Sequence, residues 1–466
     1  MFAKISYDFF TVSAVVTDSH PPVNAPAVKI TSVTNSSLEV KPGSLFVPLV
    51  DKRDGHDFIG DALRRGAVAC FARAGHAVLG SLSDAERQRL ILVDDPLLAL
   101  GRLAAFHRRR FAPLVIAVTG SNGKTTTKEM LAQIFRAHLG RACVATEKNY
   151  NNHIGVPFTL FAIGAQTRAA IVEMGMNHAG EISYLSQLAM PHCAAISSIG
   201  HAHIEFFPSR AGIAAAKSEI IDGMAPGGAL YLPKTIAELA TVAAAAKRRK
   251  ILLHKISFAK GNAAVLQILS HSSAGFQIAL GQERVLFPYA NAAWMSNLAL
   301  AAAVAADAGI PNAKIAAAIR NFKPAAGRMQ VKKGYFRIID DGYNANPDSA
   351  VASIEAALQL AGGQPVVCVF GDFKELGKFS KALHAWTGEE AAKAGISAFY
   401  GVGSDMRHAV AAYRQAAGKK AQAYLFARDQ VTDLVQKLKS ERQGSVILVK
   451  GSRSMKMEEI VSLLRS

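Results

Sequence analysis

Short apolar runs closed by Gly, Asp or Pro alternate along most of this 466-residue chain with longer stretches in which apolar residues recur every third or fourth position. Unbroken or period-two apolar runs mark strands and a 3.6-residue period marks helices, so the alternation predicts an α/β protein. From residue 28 to about 113, "SLFVPL", "AVACFA" and "RLILVDD" predict the strands of a small α/β domain. At Leu114 a second section starts with the strand "LVIAV", a glycine-rich turn and a helix beginning near Thr125, then continues through "AAIVEMG" and "CAAISSIG". That order predicts a mostly parallel sheet covered by helices on both faces. Over 261–289 the pattern changes to short strands with turns, an antiparallel patch on the same domain. Helices over 297–308 and 314–321 lead to "KPAAGRMQ", a Pro/Gly stretch that reads as a hinge. After it "YFRIIDD", "VVCVFGD", "SAFYGVG" and "SVILVKG" alternate with helices in a Rossmann-like pattern. Three domains are expected, over 1–113, 114–325 and 326–466.

Composition narrows the class. A chain this long exceeds one hydrophobic core, and 50% hydrophobic with 19% charged residues excludes disorder. No apolar stretch reaches the roughly 18 residues of a membrane helix, and Asp8 interrupts the one N-terminal run that imitates a signal peptide. The expectation is a cytoplasmic enzyme. Cys70, Cys143, Cys193 and Cys368 are scattered without a C-x-x-C pair, as reduced buried thiols are. The net charge of +18 raises nucleic acid as a partner. The positive residues are dispersed, however, and the clusters "HRRRF" (107–111) and "KRRK" (247–250) lack interleaved aromatics for base stacking. A solvated surface that attracts a small anionic substrate is expected, with no nucleic-acid partner. No G-x-G-x-x-G follows any of the late strands, so no dinucleotide is indicated.

The chemistry begins at "AVTGSNGKTTTKEM", residues 117–130. The general phosphate loop is G-x-x-x-x-G-K-[ST]; here Val118 takes the place of the first glycine and Gly120 follows two residues later. A strand entering such a turn and then a helix aims backbone N–H groups and a helix N-terminus at one anion. Gly120, Ser121, Asn122, Gly123, Lys124, Thr125 and Thr126 are therefore read as a nucleoside-triphosphate site, with Lys124 toward the terminal phosphates and the Thr125 hydroxyl on Mg²⁺. Glu173, ending "AAIVE", stands where a metal-binding carboxylate is expected beside the loop strand.

The stretches "TGSNGKTTTKEM", "KNYNNHIGVP", "VEMGMNHAGEI", "GHAHIEFF", "AAAKSEI", "AAGRMQ", "DDGYNANPDS", "GDFKELG" and "LVKGSRSMKMEE", in this order, resemble the Mur ligase family from about residue 31 to the end. The resemblance implies ATP-dependent amide bond formation. The carboxylate of UDP-N-acetylmuramoyl-tripeptide becomes an acyl phosphate, which D-alanyl-D-alanine attacks, in a cell-wall pathway and in a monomer. It also implies Glu173 and His203 as ligands of a second Mg²⁺, and Lys217 as a carbamylated lysine whose added negative charge suits a cation. Arg328 is implied to reach ATP, Asp341 its ribose and Asn297 its adenine. Ala293-Trp294 stands where the family commonly has His-Asn, and Trp294 reads either as a stacking partner of the base or as core. Asn35, Ser36, Arg53, Asp54, Gly55 and His56 are implied to meet the uridine diphosphate, with Ser37 where arginine is common. Asn151 and Asn152 are implied to meet the sugar-peptide, and Tyr343, Asn344, Asn346 and Glu375 the dipeptide. Gly342 and Phe373 replace a frequent serine and methionine. Two alternatives remain open at this point: a related amide ligase, adding a third residue or extending folylpolyglutamate, and a P-loop ATPase stimulated by nucleic acid.

Overall fold

The computed structural model describes residues 1–17, 26–257, 266–272, 274–289, 291–441 and 443–465. Its first sheet runs in chain order through Phe2–Asp8, Lys29–Thr34, Ser44–Phe46, Ala67–Arg73 and Leu90–Val93, and only the first pair is antiparallel. The α/β pattern thus starts well before residue 28. The first strand alternates, with Ala3, Ile5 and Tyr7 inward and Lys4, Ser6 and Asp8 outward. Asp8 does more than interrupt an apolar run. Its carboxylate accepts the Thr11 N–H (2.7 Å) and hydroxyl (2.8 Å), capping the helix Phe9–Thr17.

The central sheet is parallel throughout, in the order Leu252–Ile256, Ala229–Pro233, Cys193–Ile196, Leu114–Thr119, Ala169–Glu173, Cys143–Ala145. The loop strand sits in the middle. Later strands add on both sides of it, which opens a crevice at its carboxyl end. Its residues from Val115 to Thr119 are all buried, the unbroken apolar run of a strand covered on both faces. The antiparallel patch comprises Gln267–Ser272, Gly275–Leu280 and Glu283–Phe287; the part expected over 261–265 lies outside the described residues. The following helix spans Ala292–Asp307, beginning five residues earlier than the pattern predicts, because Asn291 accepts the Trp294 N–H as an N-cap.

The last sheet orders Gln330–Lys333, Arg337–Asp340, Val446–Lys450, Val366–Gly371, Ala398–Val402 and Gln422–Phe426, parallel except for the first pair. The short strands Gln330–Lys333 and Gln422–Phe426 are additions to the expected set.

One basic cluster departs from its solvated reading. His107 and Arg108 are buried. The Arg108 guanidinium donates to the Ala189 (2.8 Å) and Met190 (3.2 Å) carbonyls, closing the C-terminus of the helix Glu181–Ala189, where a cation is favoured. His107 donates through Nε2 to the Ile163 carbonyl (2.7 Å), so its Nδ1 accepts from the Tyr7 hydroxyl (2.7 Å). These contacts tie the first sheet to the second.

In the helical cover of the last sheet, a Cβ added at Gly388 would lie 2.1 Å from the Ala409 carbonyl of the neighbouring helix. Gly388→Ala is expected to destabilise the chain by about 1–3 kcal/mol through overpacking, read as a lower melting temperature with nucleotide affinity retained below it.

Candidate active site at the domain junction

Val118 is fully buried in its strand, paired with Glu173 and Ala195, so the position of the usual first glycine is occupied here by sheet. The turn starts at Gly120, whose φ of 150° and a Cβ position 2.1 Å from Ser197 Oγ leave room only for glycine. The loop is clamped by the segment after the neighbouring strand. Ser121 donates its N–H to the Ser198 carbonyl (2.8 Å), Asn122 its N–H to Ser198 Oγ (2.8 Å), and the Ser197 hydroxyl donates to the Asn122 carbonyl (2.5 Å). Lys124 folds back so that Nζ donates to the Gly120 carbonyl (2.6 Å).

Around the loop stand the other expected residues. Glu173 is buried at its strand end; Oε1 accepts from Asn151 Nδ2 (2.7 Å) and from the Thr125 hydroxyl (3.3 Å), while Oε2 is enclosed without a partner. His203 takes a left-handed backbone (φ 64°), and its Nδ1 lies 2.6 Å from Glu375 Oε2, with the ring N–H direction off that line. Lys217 is buried in the helix Arg210–Ser218. Burial, then the charge of Lys124, holds its ammonium well below the ordinary value. Burial lowers His203 and Lys124 as well, with Glu173 opposing the shift at Lys124. The unpartnered Glu173 oxygen and the Thr125 hydroxyl are oxygen donors of the kind Mg²⁺ takes, and Lys217 would suit the ion only as an oxygen-bearing carbamate.

Across the gap, the C-terminal domain completes a cavity of about 600 Å³. Asn122 and Asn346 exchange amide hydrogen bonds (3.2 and 2.7 Å), joining the loop to the N-cap of the helix Pro347–Ala361. Arg328 reaches to 3.5 Å from the Thr125 hydroxyl, with its guanidinium 4.6 Å over the Tyr343 ring. Asn151, Asn152, Asn344 and Glu375 also line the cavity.

Other expected residues lie apart from its walls. Asp341 is buried behind, engaged by Lys450 Nζ (2.5 Å), the Ser353 hydroxyl (2.7 Å) and the Met329 N–H (3.1 Å). Asn297 is buried against Gly123, and Trp294 packs with Phe287, Tyr289 and Phe322, which settles it as core. Asn35 accepts the chain's amino terminus (2.8 Å), and neither it nor Ser36 and Arg53 line the cavity. Asp54, Gly55 and His56 build a turn. The Arg73 N–H donates to His56 Nε2 (3.1 Å) and the Val78 N–H to His76 Nδ1 (3.2 Å), so the remaining ring N–H of each histidine points to Asp54 (2.7 and 3.2 Å). Both ring nitrogens of each histidine are thereby used, which favours a scaffold over a metal centre at this cluster. The structure adds Asn149, His153, Asn177, Lys450, Ser452 and Arg453 to the cavity lining. All six fall inside stretches already singled out, yet nothing in their spacing sets them apart from their neighbours.

A phosphate-loop domain facing a Rossmann-like domain across one cation-rich cavity, behind a separate N-terminal sheet, defines a nucleotide-dependent ligase. The chain belongs to the Mur ligase family. The family's middle domain matches residues 118–305 and its glutamate ligase domain residues 327–453. The UDP-N-acetylmuramoyl-tripeptide–D-alanyl-D-alanine ligase of Escherichia coli strain K12 is 34% identical over 448 residues, 94% of each chain. That of Bacillus subtilis strain 168 is 34% identical over 454 residues, 93% of this chain and 92% of the relative. A crystal structure of MurF from Acinetobacter baumannii superposes with a TM-score of 0.86 at 29% identity over 99% of both chains. MurF from Thermotoga maritima in complex with ADP does so with 0.77 at 26% identity, over 93% of this chain and 96% of the other.

The N–H groups donated to Asp54, with the His56 backbone first, hold its carboxyl at about 2 against an ordinary 3.8. A depressed carboxyl stabilises the fold above its unfolded value and loses that contribution as pH falls toward the folded one. Amide exchange at His56 is expected to stay protected from neutral pH down to about 4 and to lose protection between about 4 and 2; protection unchanged at pH 2 would contradict this account.

Proposed function

We propose that this chain is an ATP-dependent ligase that joins D-alanyl-D-alanine to UDP-N-acetylmuramoyl-tripeptide in peptidoglycan precursor synthesis. The observation that carries the reading is the single cavity with a phosphate loop on one wall and Tyr343, Asn344, Asn346 and Glu375 on the other. Two substrates that must exchange a phosphate and then an acyl group fit a site built from two domains.

The tripeptide carboxylate attacks the γ-phosphorus of ATP and ADP leaves. The dipeptide amine attacks the acyl phosphate, phosphate leaves, and the amine loses a proton as the amide forms. Both steps crowd anions together, so positive charge must be fixed in advance. Lys124 exchanges the Gly120 carbonyl for the β- and γ-phosphates, and the N–H groups from Gly123 to Thr126, at the helix N-terminus, cradle them. Arg328 adds a planar cation beside Thr125. Thr125, Glu173, His203 and Lys217 would hold Mg²⁺, which when bound neutralises phosphate and carboxylate charge. Burial favours Lys217 as the free amine, the form that adds CO₂ with loss of a proton to give a carbamate.

We assign Asn151 and Asn152, on the cavity wall, to the sugar-peptide, and Asn35, Ser36, Arg53, Asp54, Gly55 and His56 of the N-terminal domain to its uridine end. Contact of Asp341 with the ribose requires Lys450 to change partners, and contact of Asn297 with adenine requires the Gly123 backbone to move off it. No helix of the described residues is long and apolar enough to cross a membrane, and we place the enzyme in the cytoplasm as a monomer. The five-stranded sheet ahead of the loop favours a UDP-linked substrate over a folate one.

With ATP, Mg²⁺ and UDP-N-acetylmuramoyl-tripeptide, phosphate release is expected only when D-alanyl-D-alanine is added. Release that answers instead to one free amino acid would refute the dipeptide assignment. Lys217→Ala is expected to lower kcat by about 100-fold or more, with partial rescue by small carboxylates such as acetate; near-normal turnover would exclude the carbamate.

A further inference from the structure

The dipeptide role given to Glu375 leaves its main contact unexplained. Its carboxylate belongs to the C-terminal domain yet lies 2.6 Å from Nδ1 of His203, a central-domain residue. The two chain segments are docked around that approach. Glu205 donates its N–H to the Glu375 carbonyl (3.3 Å), the Gly377 N–H donates to Glu205 Oε2 (3.1 Å), and a Cβ at Gly377 would lie 2.8 Å from Glu205 Cβ. His203 and Glu375 both hold left-handed backbones, φ 64° and 63°, that non-glycine residues adopt at a cost. Two such residues meeting tip to tip across a domain boundary indicate a contact that the surrounding structure enforces.

An imidazole has two nitrogens, and a metal takes only the one without a proton. A carboxylate at one nitrogen fixes the proton there and leaves the other to the cation, the arrangement that orients histidine ligands in many metal sites. Glu173 Oε2, buried and unpartnered, supplies a waiting oxygen in the same site.

We propose that Glu375 is a positioning residue: after a small turn of the imidazole its carboxylate takes the His203 Nδ1 proton, reserves Nε2 for the second cation, and so makes that metal site complete only when the C-terminal domain is docked. The idea deepens the ligase reading and rests on it for the purpose of the metal. Domain docking and cation binding then become one linked equilibrium.

The test uses the full chain, ADP and Mn²⁺ alone as the probe, read by electron paramagnetic resonance. Wild type is expected to bind two Mn²⁺ per chain. Glu375→Ala is expected to weaken the second by about 10- to 100-fold with the first unchanged, and Glu375→Gln, whose amide oxygen still accepts the Nδ1 proton, to keep most of that affinity. A single Mn²⁺ in wild type, equal affinities in Glu375→Ala, or Glu375→Gln losing as much as Glu375→Ala would each overturn the proposal. So would an unchanged second Mn²⁺ with a raised KM for D-alanyl-D-alanine, which returns Glu375 to the dipeptide. Wild-type ligation, assayed in parallel, separates failure of the ligase reading from failure of this inference.

Discussion

Two lysines enclosed in one site cannot both keep an ordinary ammonium charge. Lys124 and Lys217 repel each other, both are stripped of water, and the site answers with groups that offset this cost. At Lys124 the Glu173 carboxylate opposes the lowering by burial, and Nζ lies against the Gly120 and Ser121 carbonyls. Lys217 has burial and the Lys124 charge both acting against its ammonium form, which holds it well below the ordinary lysine range. The result is a pocket of helix N-terminal N–H groups with Lys124 and Arg328 on its wall, which attracts anions. A site in this state favours phosphate and carboxylate ligands over water, as the transfer of a phosphoryl group to a carboxylate demands.

That electrostatic arrangement depends on backbone placed to fine tolerance. Gly120 must approach Ser197 too closely for any side chain, and Gly123 packs on Asn297 in the same way. The loop is thereby fixed to its own sheet before the C-terminal domain touches it. The second domain then adds charge through Arg328 and specificity through side chains that point back, with the Asn122–Asn346 amide pair as the neutral fastener between them. Neutral amides suit that place. A charged pair would compete with the phosphates for the same cations.

The parts of this architecture legible in the chain are those set by local rules. The central and C-terminal strands, the glycine-rich turn and the helix after it follow from period and turn chemistry, and Glu173 follows from its strand end. The strand Phe2–Asp8 alternates plainly, but the nine-residue helix rich in Val and Phe that follows it blurs its boundary in the sequence. The burial of Arg108 is not legible, since two of its three carbonyl partners lie some eighty positions away. The same holds for Lys450 and Arg453 at the cavity and for the Asp341–Lys450 pair, whose two halves are remote in sequence and meet only through strand order. Long-range pairing of polar groups leaves no periodic trace.

The departures from the family pattern make sense at this level. At Gly342, an added Cβ would come within 3.2 Å of Met457 Cβ, so the missing serine side chain is replaced in space by a methionine from the far end of the chain. Phe373 stacks on His384 with ring centres 5.0 Å apart, and its own N–H donates to His384 Nε2 (3.1 Å). His384 in turn donates through Nδ1 to the Ser380 carbonyl (2.8 Å), so the ring is fully used and burial keeps it neutral. The aromatic residue thus fixes the start of the Phe373–Gly377 turn by stacking and by a backbone hydrogen bond together. Glu375 leaves that turn in a left-handed conformation aimed at His203. A change that looks mild as a side-chain swap therefore sits at the root of the contact that joins the two domains at the His203 side of the cavity.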